Sequence, residues 1–171
     1  MTQFTPFPSA SHDHTSCVAD AVATAASLCE RRGARLTAVR RRVLELVWGS
    51  HEPVGAYEIL EILQKDGRSV APPTVYRALD FLLAHGLIHR IESMNAFVGC
   101  AHPDEPHGGQ FLICRDCGTA AELDDQSIAE AVAHGAEALG FEVQDQTVEV
   151  SGLCPSCRER QGDNRDANPR A

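Results

Sequence analysis

Two C-x-x-C pairs, Cys114–Cys117 and Cys154–Cys157, restrict the fold of this chain more than any other feature. Four thiolates at tight turns converge tetrahedrally on one zinc ion only if the chain between them folds back on itself. The stretch between the pairs must then be one folding unit, with a strand end before each pair. A thioredoxin-like redox centre needs one such pair at a helix start, and here there are two at strand turns. Four thiolates leave no open coordination position, so the site they imply is structural rather than catalytic.

The pairs belong to a set of seven cysteines, an odd number. The opening "MTQFTPFPSASHDHTS" has neither a basic start nor an apolar core, so it does not read as a secretory signal. No apolar run approaches the length of a membrane span. A cytosolic chain is expected, where paired cysteines mean metal rather than a disulfide framework. Cys17 and Cys29 fit helix positions and read as small packed hydrophobes.

Charge divides the chain. The net charge is −9, which by itself argues against a polyanionic partner. Between Arg31 and Arg90, however, ten Lys/Arg face six Asp/Glu, whereas from Ile91 onward five face fifteen. A basic half that can bind polyanion precedes an acidic half with another task.

Periodicity fills in the basic half. Residues 1–15 are polar, aperiodic and expected to be disordered. From Ser16, residues Val18, Val22, Ala25, Leu28 and Cys29 recur at helical spacing, and Gly33 ends the helix. Thr37 caps a second helix with Val39, Val43, Leu46 and Val47 inward. "GAYEILEILQKDG" gives a third, with Ala56, Ile59, Leu60 and Leu63 inward and Tyr57 outside the stripe. "PPTVYRALDFLLAHG" gives a fourth, with Val75, Leu79, Leu82 and Leu83 inward and Arg77, Asp80 and Ala84 opposite. Two short apolar strands around Met94–Asn95 then form a hairpin. This order is that of a winged helix-turn-helix, whose fourth helix enters a major groove.

In the acidic half, "QFLIC" and "TAAELD" read as strands around the first C-x-x-C turn. "QSIAEAVAHGAEALG" reads as a helix and "FEVQDQTVEVSGLC" as a strand whose phase slips near Gln144–Gln146. The expected fold class is α+β. The expected organisation is a disordered segment 1–15, a winged-helix DNA-binding domain 16–101 and a hinge linker 102–109. A dimerisation and zinc-binding α/β domain 110–157 and a disordered segment 158–171 follow.

A second, mixed donor set precedes the first C-x-x-C pair. His89 and Cys100 fall on the two arms of the hairpin, His107 on the linker, and Glu122 beyond Cys117. One thiolate, two imidazoles and one carboxylate make a plausible zinc set. His102 competes with His107 for its place, and Asp104 or Glu105 can replace Glu122. Losing one ligand would open a position of the kind a catalytic zinc uses, but no general base or oxyanion donor accompanies it.

The stretches "RLTAVRRRVLELVW", "AYEILEIL" and "PPTVYRALDFLLAHGLIHRIES", with the paired C-x-x-C, resemble the ferric uptake regulator superfamily over roughly residues 20–157. Within it, "FVGCAHPDEPHGGQFLICRDCG" looks like the zinc uptake regulator branch. The histidine-rich run of the iron and peroxide sensors is missing. The resemblance implies a zinc-responsive repressor of zinc uptake genes that binds operator DNA as a homodimer, with no membrane and no small organic substrate as partner. It implies two zinc ions per subunit: a structural one at Cys114, Cys117, Cys154 and Cys157, and a regulatory one at His89, Cys100, His107 and Glu122. It implies DNA contacts from Tyr57 and Arg77. Sensing of iron, manganese or nickel on the same fold, or a zinc metalloenzyme, are the alternatives. Gly55 departs from the family's serine or threonine cap, and the Cys100-to-His107 spacing is shorter than the family's.

Overall fold

The structure, a computed structural model, describes residues 7, 14–104, 109–123 and 125–166. It divides into two compact units: Ser9–Pro106, and Met1–Pro8 together with His107–Ala171. Both mix helix and strand, an α+β arrangement.

The Ser9–Pro106 unit contains α1 (His14–Arg31), α2 (Ala38–Trp48), β1 (Val54–Gly55), α3 (Ala56–Lys65), α4 (Pro72–Ala84), β2 (Ile88–Ile91) and β3 (Ala96–Gly99). Its helices start where the chain provides for them. The Thr37 hydroxyl accepts the Arg40 N–H ahead of α2, and prolines occupy the first turn of α4, where no N–H is missed. Val43 and Val47, Ile59 and Leu63, and Val75 and Leu79 are one helical turn apart and nearly solvent-free. They meet Leu82 and Ile88 in one core. Each such side chain contributes about 1.5–3 kcal/mol on burial.

α2 packs against both α1 and α4. Its buried stripe is accordingly wider than one row: Leu44 is buried, while Val39 and Leu46 are only partly covered. β2 and β3 pair antiparallel from Ile88↔Gly99 to Ile91↔Ala96. A short 3-10 turn, Glu92–Met94, and Asn95 in the left-handed region reverse the chain between them. β1 pairs on the other side of β3, giving the sheet order β1-β3-β2. α3, α4 and this sheet form the expected winged helix-turn-helix.

Two details differ from the sequence expectation here. α1 begins at His14, inside the stretch read as disordered, because no proline or glycine separates His14 from Ser16. β1 has two residues, too few to display an alternating pattern.

In the second unit, β4 (Gly109–Cys114), β5 (Ala120–Glu122), α5 (Gln126–Glu137), β6 (Thr147–Gly152) and α6 (Pro155–Asp166) follow in order. β5 lies antiparallel to β4, and β6 lies parallel to it on the other side. A parallel neighbour requires a crossover, which β5 and α5 supply. The Asp125 carboxylate starts α5 by accepting the Ser127 N–H at 2.9 Å. The register Cys114↔Gly152 brings both C-x-x-C segments to the same end of the sheet.

β6 is shorter than the sequence suggested. Asp145 takes the N–H of Gln146 at 2.9 Å, a local bond that competes with the ladder. The segment 158–171, expected to be disordered, is helical through Asp166. Pro155 suits a first turn, and the Arg158 N–H bonds the Cys154 carbonyl at 3.0 Å to open the helix. Among the described residues, no helix is long and apolar enough to cross a membrane.

Candidate functional site

Parallel pairing of β4 and β6 assembles the four-cysteine cluster. Cys114 ends β4, and the turn carrying Cys117 closes with Gly118 at φ +74°, a conformation that suits glycine. Cys154 follows β6, and Cys157 lies in the first turn of α6. The four Sγ atoms all lie within 4.8 Å of one another. A tetrahedral zinc with sulfur ligands at about 2.3 Å has sulfur–sulfur edges of about 3.8 Å. Cys117 and Cys154 Sγ stand 3.8 Å apart. In spacing and in donor chemistry the cluster fits one such ion.

The protonation of these thiols also fits a cation. Burial raises the Cys114 thiol, but the N–H groups of Cys154, Cys117 and Asp116 outweigh it and bring its pKa down to about 6. The Cys154 N–H reaches the Cys114 sulfur at 3.3 Å. Burial pushes Cys157 up to about 12, against the Arg160 guanidinium, which donates to its sulfur at 2.7 Å. Burial also raises Cys154. The Cys114 thiolate is thus favoured while burial holds Cys154 and Cys157 toward the neutral thiol, and metal ligation requires such thiols to be deprotonated.

The mixed donors are distributed over both units. In the N-terminal unit His89 is half-buried in β2 opposite Val98, and Cys100 is buried just past β3, its N–H bonded to the Leu87 carbonyl at 3.2 Å. Alternation along paired strands puts His89, Val98 and Cys100 on one face of the wing, and the donor atoms of His89 and Cys100 lie within 4.8 Å of each other. His102 is exposed, and no grouping of donors among the described residues includes it. Asp104 forms an ion pair with Arg31 of α1, which competes with a ligand role. In the other unit, Glu122 ends β5 opposite Phe111. His107 and Glu105 lie outside the described residues.

The helix-turn-helix presents polar groups on its outer side. Tyr57 at the start of α3 is 69% exposed, and Arg77, Asp80 and Ala84 are exposed along α4. Arg77 and Thr74 of α4 line a groove with Thr37 and Arg40 at the start of α2. The Arg40 guanidinium lies 3.5 Å from the centre of the Phe81 ring, and the Phe81 ring meets that of His85, just past α4, at 4.2 Å between centres and a tilt of 48°. Burial, followed by the charges of Arg32 and Arg40, lowers the His85 pKa, so α4 ends on a neutral imidazole near pH 7.

Two further residues of note escaped the sequence reading. Tyr76 is exposed on α4 beside Arg77, and its place outside the apolar stripe was the available signal. Arg160 had none, because its contact with Cys157 exists only once α6 is helical.

Comparison with known proteins agrees with this layout. The model of the ferric uptake regulator family matches residues 31–151. The zinc uptake regulation protein of Escherichia coli K12 is 37% identical over 139 residues, 81% of each chain. A solved zinc uptake regulator complexed with zinc and DNA superposes with a TM-score of 0.80 at 35% identity, over 85% of this chain and 97% of that one. The crystal structure of holo XcZur gives a TM-score of 0.75 at 47% identity, over 81% and 96%.

Proposed function

Because the chain belongs to the ferric uptake regulator family, we propose that it is a zinc-responsive repressor that binds operator DNA as a homodimer and controls zinc uptake genes in the cytosol. The likeness to a regulator solved with both zinc and DNA carries this reading. It is a regulator and not an enzyme. The recognition helix is α4, with Arg77 reading or holding DNA and Tyr57 of α3 supporting it. The modest basic excess of the N-terminal unit suits a phosphate backbone.

Two zinc ions per subunit complete the proposal. Cys114, Cys117, Cys154 and Cys157 hold the structural ion. His89, Cys100, His107 and Glu122 hold the regulatory one, supported by the closeness of His89 and Cys100 on one face of the wing. Zinc supplies at each site a centre that prefers four donors in tetrahedral array. His89 and Cys100 belong to one unit and Glu122 to the other. A donor set shared in this way favours one arrangement of the units, so occupancy acts as a population shift. In a dimer that arrangement decides whether two α4 helices reach half-sites about 34–36 Å apart. Self-association is supported by the apolar groups the second unit leaves in solvent, among them Leu139, Phe141 and Val150.

The test is operator affinity against free zinc in a buffered chelator, run in parallel with iron, manganese and nickel. DNA binding that rises with zinc in the wild type, and stays weak at all zinc levels in a folded Cys100→Ser dimer, is the expected result. Wild-type zinc dependence in Cys100→Ser would overturn the sensor assignment. Response to another metal at lower free concentration would reassign the signal. Parallel His102→Ala and His107→Ala variants decide between those two ligands, with the His107 change expected to be the severe one.

A further inference from the structure

Gly99, the last residue of β3, lies directly under the indole of Trp48. An ideal Cβ built on Gly99 would stand 2.2 Å from Trp48 Cε2 and 2.4 Å from its Nε1. Real Cβ atoms do not approach other atoms so closely, so only glycine fits beneath this ring. Trp48 is the last residue of α2, it packs against the main core, and α2 touches both β3 and the recognition helix α4.

The strand places this contact against the wing ligands. Gly99 is opposite Ile88, and His89 is opposite Val98. Alternation sends Gly99 toward the core face and Val98 and Cys100 toward the other. The indole therefore presses on one side of the strand while the donor atoms of His89 and Cys100 meet on its opposite side. Cys100 is one peptide from Gly99, and its N–H bonds the carbonyl of Leu87, just ahead of β2, at 3.2 Å. A side chain at position 99 must either push β3 away from the core, carrying Cys100 relative to His89, or expel the Trp48 ring.

We propose that the Trp48–Gly99 contact positions Cys100 for the regulatory metal, making both residues determinants of zinc affinity without contact to the ion. The inference rests on the reading of Cys100 as a sensor ligand. It assigns Trp48 and Gly99 as positioning residues, and it adds a route from the metal ligands through α2 to α4 that stays within one unit.

The experiment is a double-mutant cycle on the full-length zinc-loaded dimer, with the regulatory zinc affinity measured by chelator competition. Supporting groups of metal sites typically cost about 10- to 100-fold in affinity when altered. Gly99→Ala should lose regulatory zinc affinity in that range while the four-cysteine zinc is retained. In a Trp48→Leu background, where the ring is gone, Gly99→Ala should cost much less. An equal cost in both backgrounds overturns the proposal, as does wild-type affinity in Gly99→Ala. Should Gly99→Ala alone fail to fold, Trp48→Leu alone decides: weakened regulatory zinc binding in a folded dimer supports the proposal, and wild-type affinity overturns it. Cys100→Ser is the control that separates the two claims. If Cys100→Ser abolishes the response and the cycle shows no coupling, only the positioning role fails. If Cys100→Ser responds normally, the sensor reading fails with it.

Discussion

The two units of this chain are held together by different means. The N-terminal unit closes around aliphatic side chains drawn from every one of its helices. Among its described residues the C-terminal unit buries only Gln110, Phe111, Ile113, Ala121 and the cysteines Cys114, Cys154 and Cys157, and α5 contributes no buried residue at all. A small sheet with an uncovered helix cannot offset its own conformational entropy by burial alone. Cross-linking by a metal and pairing with a second copy are the two means it has in reserve. Under the proposed function, the unit that is the better hydrophobic fold is the one that reads DNA, and the unit that depends on outside help is the one that supplies the framework for assembly.

The largest effect should come from removing the structural metal. Structural zinc in small domains stabilises by about 10–16 kcal/mol. A strong chelator, or Cys157→Ser, should therefore abolish hydrogen-exchange protection in β4, β5 and β6 and dissociate the dimer. α2, α3 and α4 should remain protected. Protection that persists in the metal-free C-terminal unit would erase the contrast.

The reciprocal change is Leu79→Ala in the N-terminal core. A Leu→Ala cavity costs about 2–5 kcal/mol. Thermal unfolding followed at the helices should shift down by that equivalent, and the four-cysteine zinc should dissociate at the wild-type rate. Coupled loss of zinc would mean the units are less independent than their cores suggest.

Arg77→Ala should leave both units at wild-type stability, since the side chain is exposed. Operator affinity should fall, by about 1–3 kcal/mol if Arg77 reads a base edge. Equal weakening on random DNA with a smaller salt slope would place it on phosphate instead. Unchanged binding on both would remove it from the interface.

The smallest effect is a pH slope confined to the N-terminal unit. The folded pKa of His85 is lowered, so its neutral form is favoured by folding. Stability from this group is complete above the ordinary histidine range, about 6.5, and is lost as pH falls through the lower folded value. His85→Gln should flatten the acid slope of the N-terminal unit and leave that of the other unit alone. An unchanged slope would show that His85 is already free to charge.

Much of the N-terminal unit was legible because its information is local. Apolar residues four apart mark Ile59 with Leu63 and Val75 with Leu79, and Thr37 and Pro72 announce the helix starts. The C-x-x-C pairs were legible because few other arrangements explain them. The unread parts depend on contacts distant in sequence. β1 exists only because β3 pairs with it. α6 is polar throughout the stretch after Cys157, with no apolar stripe to betray it. In sequence Trp48 is one more apolar residue at a helix end, and nothing local says that Gly99 lies beneath it. His107, chosen over His102 by resemblance, lies outside the described residues.

The parallel pairing of β4 with β6 also imposes an order of events during synthesis. Domains generally fold as units, the N-terminal one first, as the chain emerges at about 5–20 residues per second. The helix-turn-helix can therefore be complete while β4 still lacks its neighbour and Cys114 and Cys117 have no partner thiols. Through that interval the first pair is open to oxidation or to a transient ion. We predict that ribosome-bound chains stalled before Cys154 carry a protease-resistant N-terminal unit and an alkylatable Cys114–Cys117 pair. Resistance of that pair to alkylation would refute the order. Reading competence would then precede assembly competence in every newly made subunit, with the arrival of Cys157 setting the moment at which it can pair.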